Sequence, residues 1–214
     1  MRTLRRRMLV GVIAIMLSAS VHSALASPSE WDTGARDALT SSVQFMAFPQ
    51  TVDTGLDWPQ VQRDAQRTGH SPEVLGTDLQ VAWRHTFNPE KVFPQVQAIV
   101  YDGLVFVGTE MGRIYALNAQ TGDQEWVYDV GAPILSSVAV ADGRVFFGAM
   151  DGAVYALEAS SGSLVWRTAL SWRLGFSTAP VVAESKVMLG GRSGIFYALS
   201  PENGATLWQY DVGS

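Results

Sequence analysis

The sequence predicts an all-β fold in which four-stranded antiparallel sheets repeat around a common centre, as the blades of a β-propeller do. A fifteen-residue pattern occurs three times, as GRIYALNAQTGDQEW (112–126), GAVYALEASSGSLVW (152–166) and GIFYALSPENGATLW (194–208). The copies start 40 and 42 residues apart, a period typical of propeller blades. Between the copies lie short β-branched and aromatic runs, and residues 96–214 show no 3.6-residue apolar periodicity.

Residues 1–26 have the pattern of a secretory signal peptide. Four arginines precede the apolar run 8–17, and an A-L-A sequence ends at Ala26. We therefore expect an exported chain, periplasmic or secreted, with the signal peptide cleaved after Ala26. The apolar run is too short to span a bilayer comfortably, so no permanent membrane span is expected. Residues 27–56 give no clear element and are expected to form a loose N-terminal linker.

The propeller itself is expected to cover 57–214 as a partial ring. Residues 57–78 are expected to form a lead-in segment that packs along the rim of the ring. Residues 79–87 are expected to supply an orphan fourth strand, because Trp83 stands 43 residues before Trp126. An N-terminal strand of this kind can complete the last blade of a ring. Three full blades are expected at about 96–130, 136–170 and 178–212.

The first hairpin of each blade is marked by its turn residues. In the second copy the pair Asp142-Gly143 favours a two-residue turn with positive φ. The third copy has Glu184-Ser185 at this place, so its hairpin signal is weaker. Because neighbouring blades cover both faces of a blade, strands such as VFFG (145–148) can be continuously apolar.

Twelve positions of the repeat are interpreted as structural. The glycines fall where the second and third hairpins turn sharply. The tryptophans fall on strand four, where an indole can lie across the seam between blades with its N–H on a turn carbonyl. These positions are Gly112, Tyr115, Gly122, Trp126, Gly152, Tyr155, Gly162, Trp166, Gly194, Tyr197, Gly204 and Trp208.

Composition argues against several classes of function. Removing residues 1–26 takes the formal net charge from −5 to −9, so a nucleic-acid partner is not expected. The chain has no cysteine, which excludes disulfides within it and covalent haem attachment. His70 and His85 lack the spacing of metal ligands, so no metal site is expected. No catalytic residues are assigned, because neither a Ser-His-Asp set nor a phosphate-binding glycine loop occurs.

The repeat resembles that of a known family. The segments ALNAQTGDQEW, ALEASSGSLVW and ALSPENGATLW are similar to the tryptophan-docking repeat of pyrroloquinoline-quinone-like (PQQ-like) β-propellers. The segment WPQVQRDAQRTGHSP is similar to the lead-in found before the first blade of many exported members. The family includes quinoprotein dehydrogenases, which use the quinone and a calcium ion on the propeller axis. It also includes non-enzymatic members, among them the propeller lipoprotein of the outer-membrane protein assembly machinery.

The resemblance leaves two functions open. The first is an exported binding or scaffold module for protein or small-molecule partners in the cell envelope, with no cofactor in this chain. The alternative is a fragment of a PQQ-dependent quinoprotein dehydrogenase that oxidises alcohols or sugars, with PQQ and calcium. Such propellers have more than three blades. The chain is therefore expected to be a truncated reading frame, or else an incomplete ring that self-associates through its bare apolar faces.

A candidate binding site lies in the loops. Links from strand four to the next strand one, and from strand two to strand three, are expected on the same end of the blades. The longest of the repeat links carries Trp172 and Arg173, with Arg192 expected nearby. An aromatic ring beside guanidinium groups is a common recognition pair. The alternative is that Trp172 plugs the inner end of the ring while the arginines are solvated. Asp151 is interpreted as a turn residue.

Overall fold

Fifteen strands form four sheets, in a computed structural model that describes residues 10–14, 42–51, 57–70, 80–170 and 174–213. The first sheet has the order β1-β2-β3, and each of the other three is a four-stranded antiparallel blade with its strands in chain order. The strands are β1 Val10–Ala14, β2 Ser42–Thr51, β3 Gln80–Thr86, β4 Ile99–Tyr101, β5 Leu104–Gly108, β6 Arg113–Asn118, β7 Gln124–Asp129, β8 Ala139–Ala141, β9 Arg144–Gly148, β10 Ala153–Glu158, β11 Leu164–Ala169, β12 Val181–Ala183, β13 Lys186–Gly190, β14 Ile195–Leu199 and β15 Thr206–Asp211. We call β4–β7 blade one, β8–β11 blade two and β12–β15 blade three. The predicted all-β fold with three blades is confirmed.

The N-terminal sheet repeats the register of a blade. Trp83 on β3 pairs with Phe45, and the register shifts by one residue immediately afterwards. The same shift follows the pair Ala156↔Trp166 in blade two. Strand β3 therefore has the position of a fourth strand. Strands β1 and β2 fall in the ranges assigned above to a signal peptide and to a linker without a clear element. The structure differs there by pairing them as strands, and the two assignments stay predictions.

The cores lie between the blades, because each central strand is apolar on both faces. On β10, Ala153, Tyr155 and Leu157 pack into the cluster shared with blade one. The intervening Val154 and Ala156 pack into the cluster shared with blade three. All five side chains are buried. The continuous apolar sequence of this strand thus serves two interfaces at once.

One indole closes each seam between successive sheets. Its ring N–H donates to a carbonyl in the turn that joins strands three and four of the next blade. The pairs are Trp83 with Ala119 (3.0 Å), Trp126 with Ala159 (2.9 Å) and Trp166 with Pro201 (2.9 Å). The ring also lies against a glycine of the same turn: a Cβ on Gly162 would stand 2.6 Å from the ring of Trp126. The seam therefore needs glycine at that turn.

The first strands of the blades form the hub. Strand β8 contacts both β4 and β12, and each of these first strands is the edge of its sheet. Residues 57–60 of the lead-in bind to these inner strands, with Trp58 in an antiparallel bridge to Val100. For residues 57–60 the expected position along the rim was wrong: they lie at the hub, where unpaired edge groups of the first strands are available. The position of the rest of 57–78 stays a prediction.

One face of blade three is exposed. It carries Phe196 stacked on Trp208, with ring centroids 6.0 Å apart, and Tyr210 beyond them. Trp208 is 42% exposed, whereas the equivalent Trp166 is 8% exposed beneath blade three. The difference arises because no further described blade covers this face. Within the described ranges, no helix is long and apolar enough to cross a membrane.

Candidate functional site

The between-blade links and the turns from strand two to strand three lie together at one end of the blades, as predicted. We call this the loop end. Backbone hydrogen bonds join a link to a turn in each case. They are Ile134 N–H to Thr109 O (3.1 Å), Met150 N–H to Pro133 O (3.0 Å), Phe176 N–H to Ala149 O (3.1 Å) and Arg192 N–H to Gly175 O (3.1 Å). The loop end is therefore a continuous surface built from all three blades.

A buried carboxylate organises the loop end of blade one. Glu90 is only 4% exposed. Its carboxylate accepts hydrogen bonds from the hydroxyl of Tyr115 at 2.7 Å, from the hydroxyl of Thr109 and from the guanidinium of Arg113. Arg113 also donates through Nε to Asp129 at 3.0 Å. This network fixes the link before blade one onto the blade itself.

The charge on Glu90 is stabilised by its partners. Burial acts to raise the pKa of this carboxyl, but the hydrogen bonds from Thr109, Tyr115 and Arg113 outweigh burial and hold the pKa below its usual value. Glu90 therefore stays ionised to a lower pH than an ordinary glutamate. A carboxylate held in this way is a structural acceptor, and its low pKa makes it a poor proton donor.

Blade two has a similar cluster at the same end. Asp151 accepts from the hydroxyl of Tyr155 at 2.6 Å and from Nη2 of Arg167 at 2.7 Å. Arg167 also donates to the Tyr155 hydroxyl at 3.0 Å, and its guanidinium carbon lies 5.5 Å from the centre of the tyrosine ring. Burial, with the bond to Asp151, raises the pKa of Tyr155 to about 12. Asp151 is thus more than a turn residue, because its carboxylate also binds the guanidinium of Arg167 on strand β11.

Blade three lacks this cluster. Ser193 precedes the turn glycine, as Asp151 does in blade two. Gln209 pairs with Tyr197 where Arg167 pairs with Tyr155. The Tyr197 hydroxyl has only a long bond of 3.4 Å to Leu170 O, and Ser193 Oγ is buried without a hydrogen-bond partner in the described part of the chain. Within the described residues, the loop end of blade three therefore has polar groups that make a long hydrogen bond or none.

One predicted site residue, Arg192, lies at this same end of the blades. The backbone of Arg192 bonds to Gly175, in the link whose sequence also holds Trp172 and Arg173. Trp172 and Arg173 themselves lie outside the described residues. The side chain of Arg192 is exposed and has no ion pair or hydrogen bond to any residue that the structure describes.

Sequence reasoning missed Glu90. It lies in the non-repeating link between β3 and blade one, so no equivalent position in another copy draws attention to it. Arg113 and Arg167 were missed for a related reason, since they occupy different strands in their blades. The only available signal was the tyrosine shared by all three copies, which needs a polar partner wherever it is buried.

Among the described residues, the loop-end carboxylates are not free to bind a calcium ion. Over the described ranges, no three His, Cys, Asp or Glu residues come together as a metal-binding group. The loop-end carboxylates of Glu90 and Asp151 are already bonded to arginine and tyrosine. Their oxygen atoms would have to release these donors before they could bind a cation.

Comparison with known proteins identifies the relatives of this fold. The family model described as outer membrane protein assembly factor BamB matches residues 76–214. A quinoprotein alcohol dehydrogenase, PedE of Pseudomonas putida, is 30% identical over 139 residues, covering 61% of this chain and 20% of that protein. The chain spans a fifth or less of the length of the curated relatives it matches.

Two solved structures show the same fold. BamB of Moraxella catarrhalis superposes with a TM-score of 0.54 and 24% identity, over 61% of this chain and 40% of that one. Quinohemoprotein alcohol dehydrogenase of Comamonas testosteroni superposes with a TM-score of 0.62 and 27% identity, over 72% of this chain and 27% of that one. With the family match spanning more than half of the sequence, the chain belongs to the PQQ-like β-propeller family of the outer membrane protein assembly factor BamB.

Proposed function

We propose that this chain is an exported binding or scaffold propeller, which holds a protein partner or ligand in the cell envelope at the loop end of blade three. The observation that carries the proposal is the exposed Arg192, whose guanidinium is unpaired within the described residues. At the same end, Arg113 and Arg167 are paired with carboxylates of the fold. The matching family model is described as an outer membrane protein assembly factor, and this description supports a protein as the partner.

The chemistry of this site favours an acidic partner. The chain without residues 1–26 has a formal charge of −9, so an exposed cation such as Arg192 is in the minority on an acidic surface. Such a cation selects a complementary carboxylate and disfavours other surfaces. In the proposal, Arg173 adds a second guanidinium and Trp172 adds an aromatic contact.

Site-directed photo-crosslinking in cells that export the chain tests the proposal. A photoreactive phenylalanine replaces Leu174, which is 46% exposed in the link next to Arg192. The matched control places it at Leu164, 48% exposed at the other end of blade two. We expect a discrete protein adduct from position 174 alone. The adduct should fall by about tenfold in an Arg173→Ala/Arg192→Ala background, as expected for loss of charged contacts.

Two results would overturn the site. One is an equal yield of adduct from positions 174 and 164. The other is an adduct at position 174 that persists unchanged after both arginines are removed. A variant with Arg84→Ala, an exposed arginine on β3, controls for the general loss of positive charge.

Export is part of the same proposal. The arginine-rich segment, the apolar run and the A-L-A sequence support cleavage after Ala26. Mass spectrometry of the chain recovered from the cell envelope is expected to give Ser27 as the first residue. Recovery of the intact chain from the cytoplasmic fraction alone would contradict export.

A quinoprotein dehydrogenase is the second candidate, because the curated relatives include quinoprotein alcohol dehydrogenases. In this candidate, residues other than the described carboxylates would hold PQQ and calcium. Purified protein, supplied with both, would show quinone absorbance and would reduce a redox dye with alcohols or sugars. If the protein binds no quinone but still gives the photo-crosslinked adduct from position 174, the scaffold function is favoured instead.

A further inference from the structure

Three consecutive residues of the lead-in each bind a different blade at the hub. Trp58 pairs through its backbone with Val100 of blade one, with N···O distances of 2.7 and 3.1 Å. The carbonyl of Pro59 accepts the N–H of Val140 of blade two at 2.6 Å. The side chains and backbone of residues 58–60 thus bridge strands that are far apart in sequence.

Gln60 completes the set with blade three. Its side-chain amide accepts the N–H of Val182 at 3.1 Å and donates to the carbonyl of the same residue at 3.4 Å. A primary amide has one donor side and one acceptor side, so it replaces the peptide group of a neighbouring strand. Gln60 is 7% exposed, and a buried amide satisfied on both sides stabilises this contact.

The three contacted residues are equivalent. Val100, Val140 and Val182 are each the middle residue of a three-residue first strand. Because first strands are sheet edges, the repeat presents the same N–H and C=O, unpaired within their own sheet, three times around the hub. The lead-in binds these three valines in three ways: through the backbone N–H and C=O of Trp58, the carbonyl of Pro59 and the side-chain amide of Gln60.

We propose that the inward edges of the three first strands form one peptide-binding site, which the chain fills with its own residues 58–60. We call this segment the hub clasp. The ligand class is an extended peptide that offers an aromatic residue, a proline carbonyl and a primary amide in that order. Proline fits the middle position because only its carbonyl is used there, as the acceptor of the Val140 N–H, and proline has no N–H to leave unsatisfied. The clasp couples the three blades, since one short segment binds all of them.

Amide hydrogen exchange by NMR on the full 214-residue chain tests the clasp. Gln60→Met keeps the length of the side chain but removes both the donor to the Val182 carbonyl and the acceptor of the Val182 N–H. We expect the Val182 amide to exchange about tenfold faster, as for loss of a protecting hydrogen bond. The control Gln66→Met makes the same change at an exposed position of the lead-in and should leave the Val182 rate unchanged.

A synthetic peptide of residues 57–70 provides the second measurement. Added to a Trp58→Ala/Gln60→Ala chain, it should restore the protection of Val140 and Val182. The same peptide with Gln60→Met should not. If either variant chain fails to fold, recovery of the far-UV β signal on adding the peptide supports the clasp, and failure to recover contradicts it. Val182 exchange that is identical in the wild type and in Gln60→Met would also overturn the proposal.

Discussion

At the scale of single residues, the turn glycines show two separate requirements. Gly162 has φ of 71°. A Cβ added to this glycine would stand 2.6 Å from the ring of Trp126. Gly131 has φ of 73°, but nothing lies within 4 Å of its Cβ position. The first glycine is needed for backbone geometry and for space, and the second for backbone geometry alone.

Alanine substitutions at these two glycines should separate the requirements. Gly131→Ala should cost about 1 kcal/mol of unfolding free energy, the strain of a left-handed alanine. Gly162→Ala should cost roughly 1–3 kcal/mol more, because the indole must move from its seam. Equilibrium urea unfolding followed by circular dichroism measures both. Equal losses would mean that the seam tolerates a methyl group.

The repeated residues could be predicted from sequence, whereas the charged network could not. Three copies in register indicate which glycines turn and where the tryptophans lie. Glu90 stands in a link with no second copy, and its partners Arg113 and Tyr115 come from another element. Contacts between different elements leave no periodic trace in the chain, so the buried carboxylate became visible only in three dimensions.

At the scale of strands and turns, the first hairpins of all three blades share one backbone geometry. Asp142 and Gly143 have φ of 49° and 72°, and Glu184 and Ser185 have φ of 50° and 54°. The third hairpin therefore forms despite its weaker sequence signal, because the pairing of β12 with β13 imposes the turn. Two non-glycine residues then occupy the left-handed region, which is unfavourable for both.

Relieving this strain should stabilise the protein. Ser185→Gly is expected to raise the unfolding free energy by about 0.5–1 kcal/mol, since glycine adopts a positive φ without a steric cost. The reverse change, Gly143→Ser in blade two, should lower it by a similar amount. Thermal unfolding by calorimetry gives both values. A destabilised Ser185→Gly protein would show that the serine side chain contributes a contact that outweighs its strain.

The network around Glu90 should make stability depend on pH in a defined direction. Its folded-state pKa lies below the ordinary value of 4.5, so the unfolded chain binds more protons as the pH falls through this range. The stabilisation is fully present above pH 4.5 and is lost as the pH drops through the lowered pKa.

Glu90→Gln is therefore expected to flatten the acid limb of the stability curve. The comparison is made by urea unfolding at intervals between about pH 6 and pH 3. Glu202→Gln removes an exposed glutamate of blade three and serves as the control, with an acid limb like that of the wild type. A Glu90→Gln chain with an unchanged acid limb would assign the pH dependence to other carboxyl groups.

At the scale of the whole molecule, the blades are joined by two different devices. On the outside, one indole closes each seam between successive sheets. On the inside, residues 58–60 bind all three blades. The outer device could be predicted, because it repeats. The inner one could not, because the lead-in occurs once and its partners are backbone groups that any sequence carries. Its place at the hub follows from the free edges of the first strands.

Because Trp166 closes a seam between two described blades and Trp208 does not, substituting these two equivalent tryptophans should lower the unfolding free energy of the 214-residue chain by different amounts. Trp166→Ala should cost about 3–5 kcal/mol, the usual range for a buried aromatic side chain, because its ring fills the seam with blade three and its N–H binds Pro201. Trp208→Ala should cost only about 1–2 kcal/mol, mostly from its stacking on Phe196. Urea unfolding followed by far-UV circular dichroism avoids any dependence on tryptophan fluorescence.

Protein concentration is the control for this comparison, because the exposed face of blade three is the surface on which an incomplete ring would self-associate. With a monomeric chain, the unfolding midpoints do not change with concentration and Trp208→Ala stays the milder variant. Equal costs for the two variants, with a wild-type midpoint that rises with concentration, would contradict this expectation. That result would mean that a second copy covers Trp208, since only association makes stability depend on concentration.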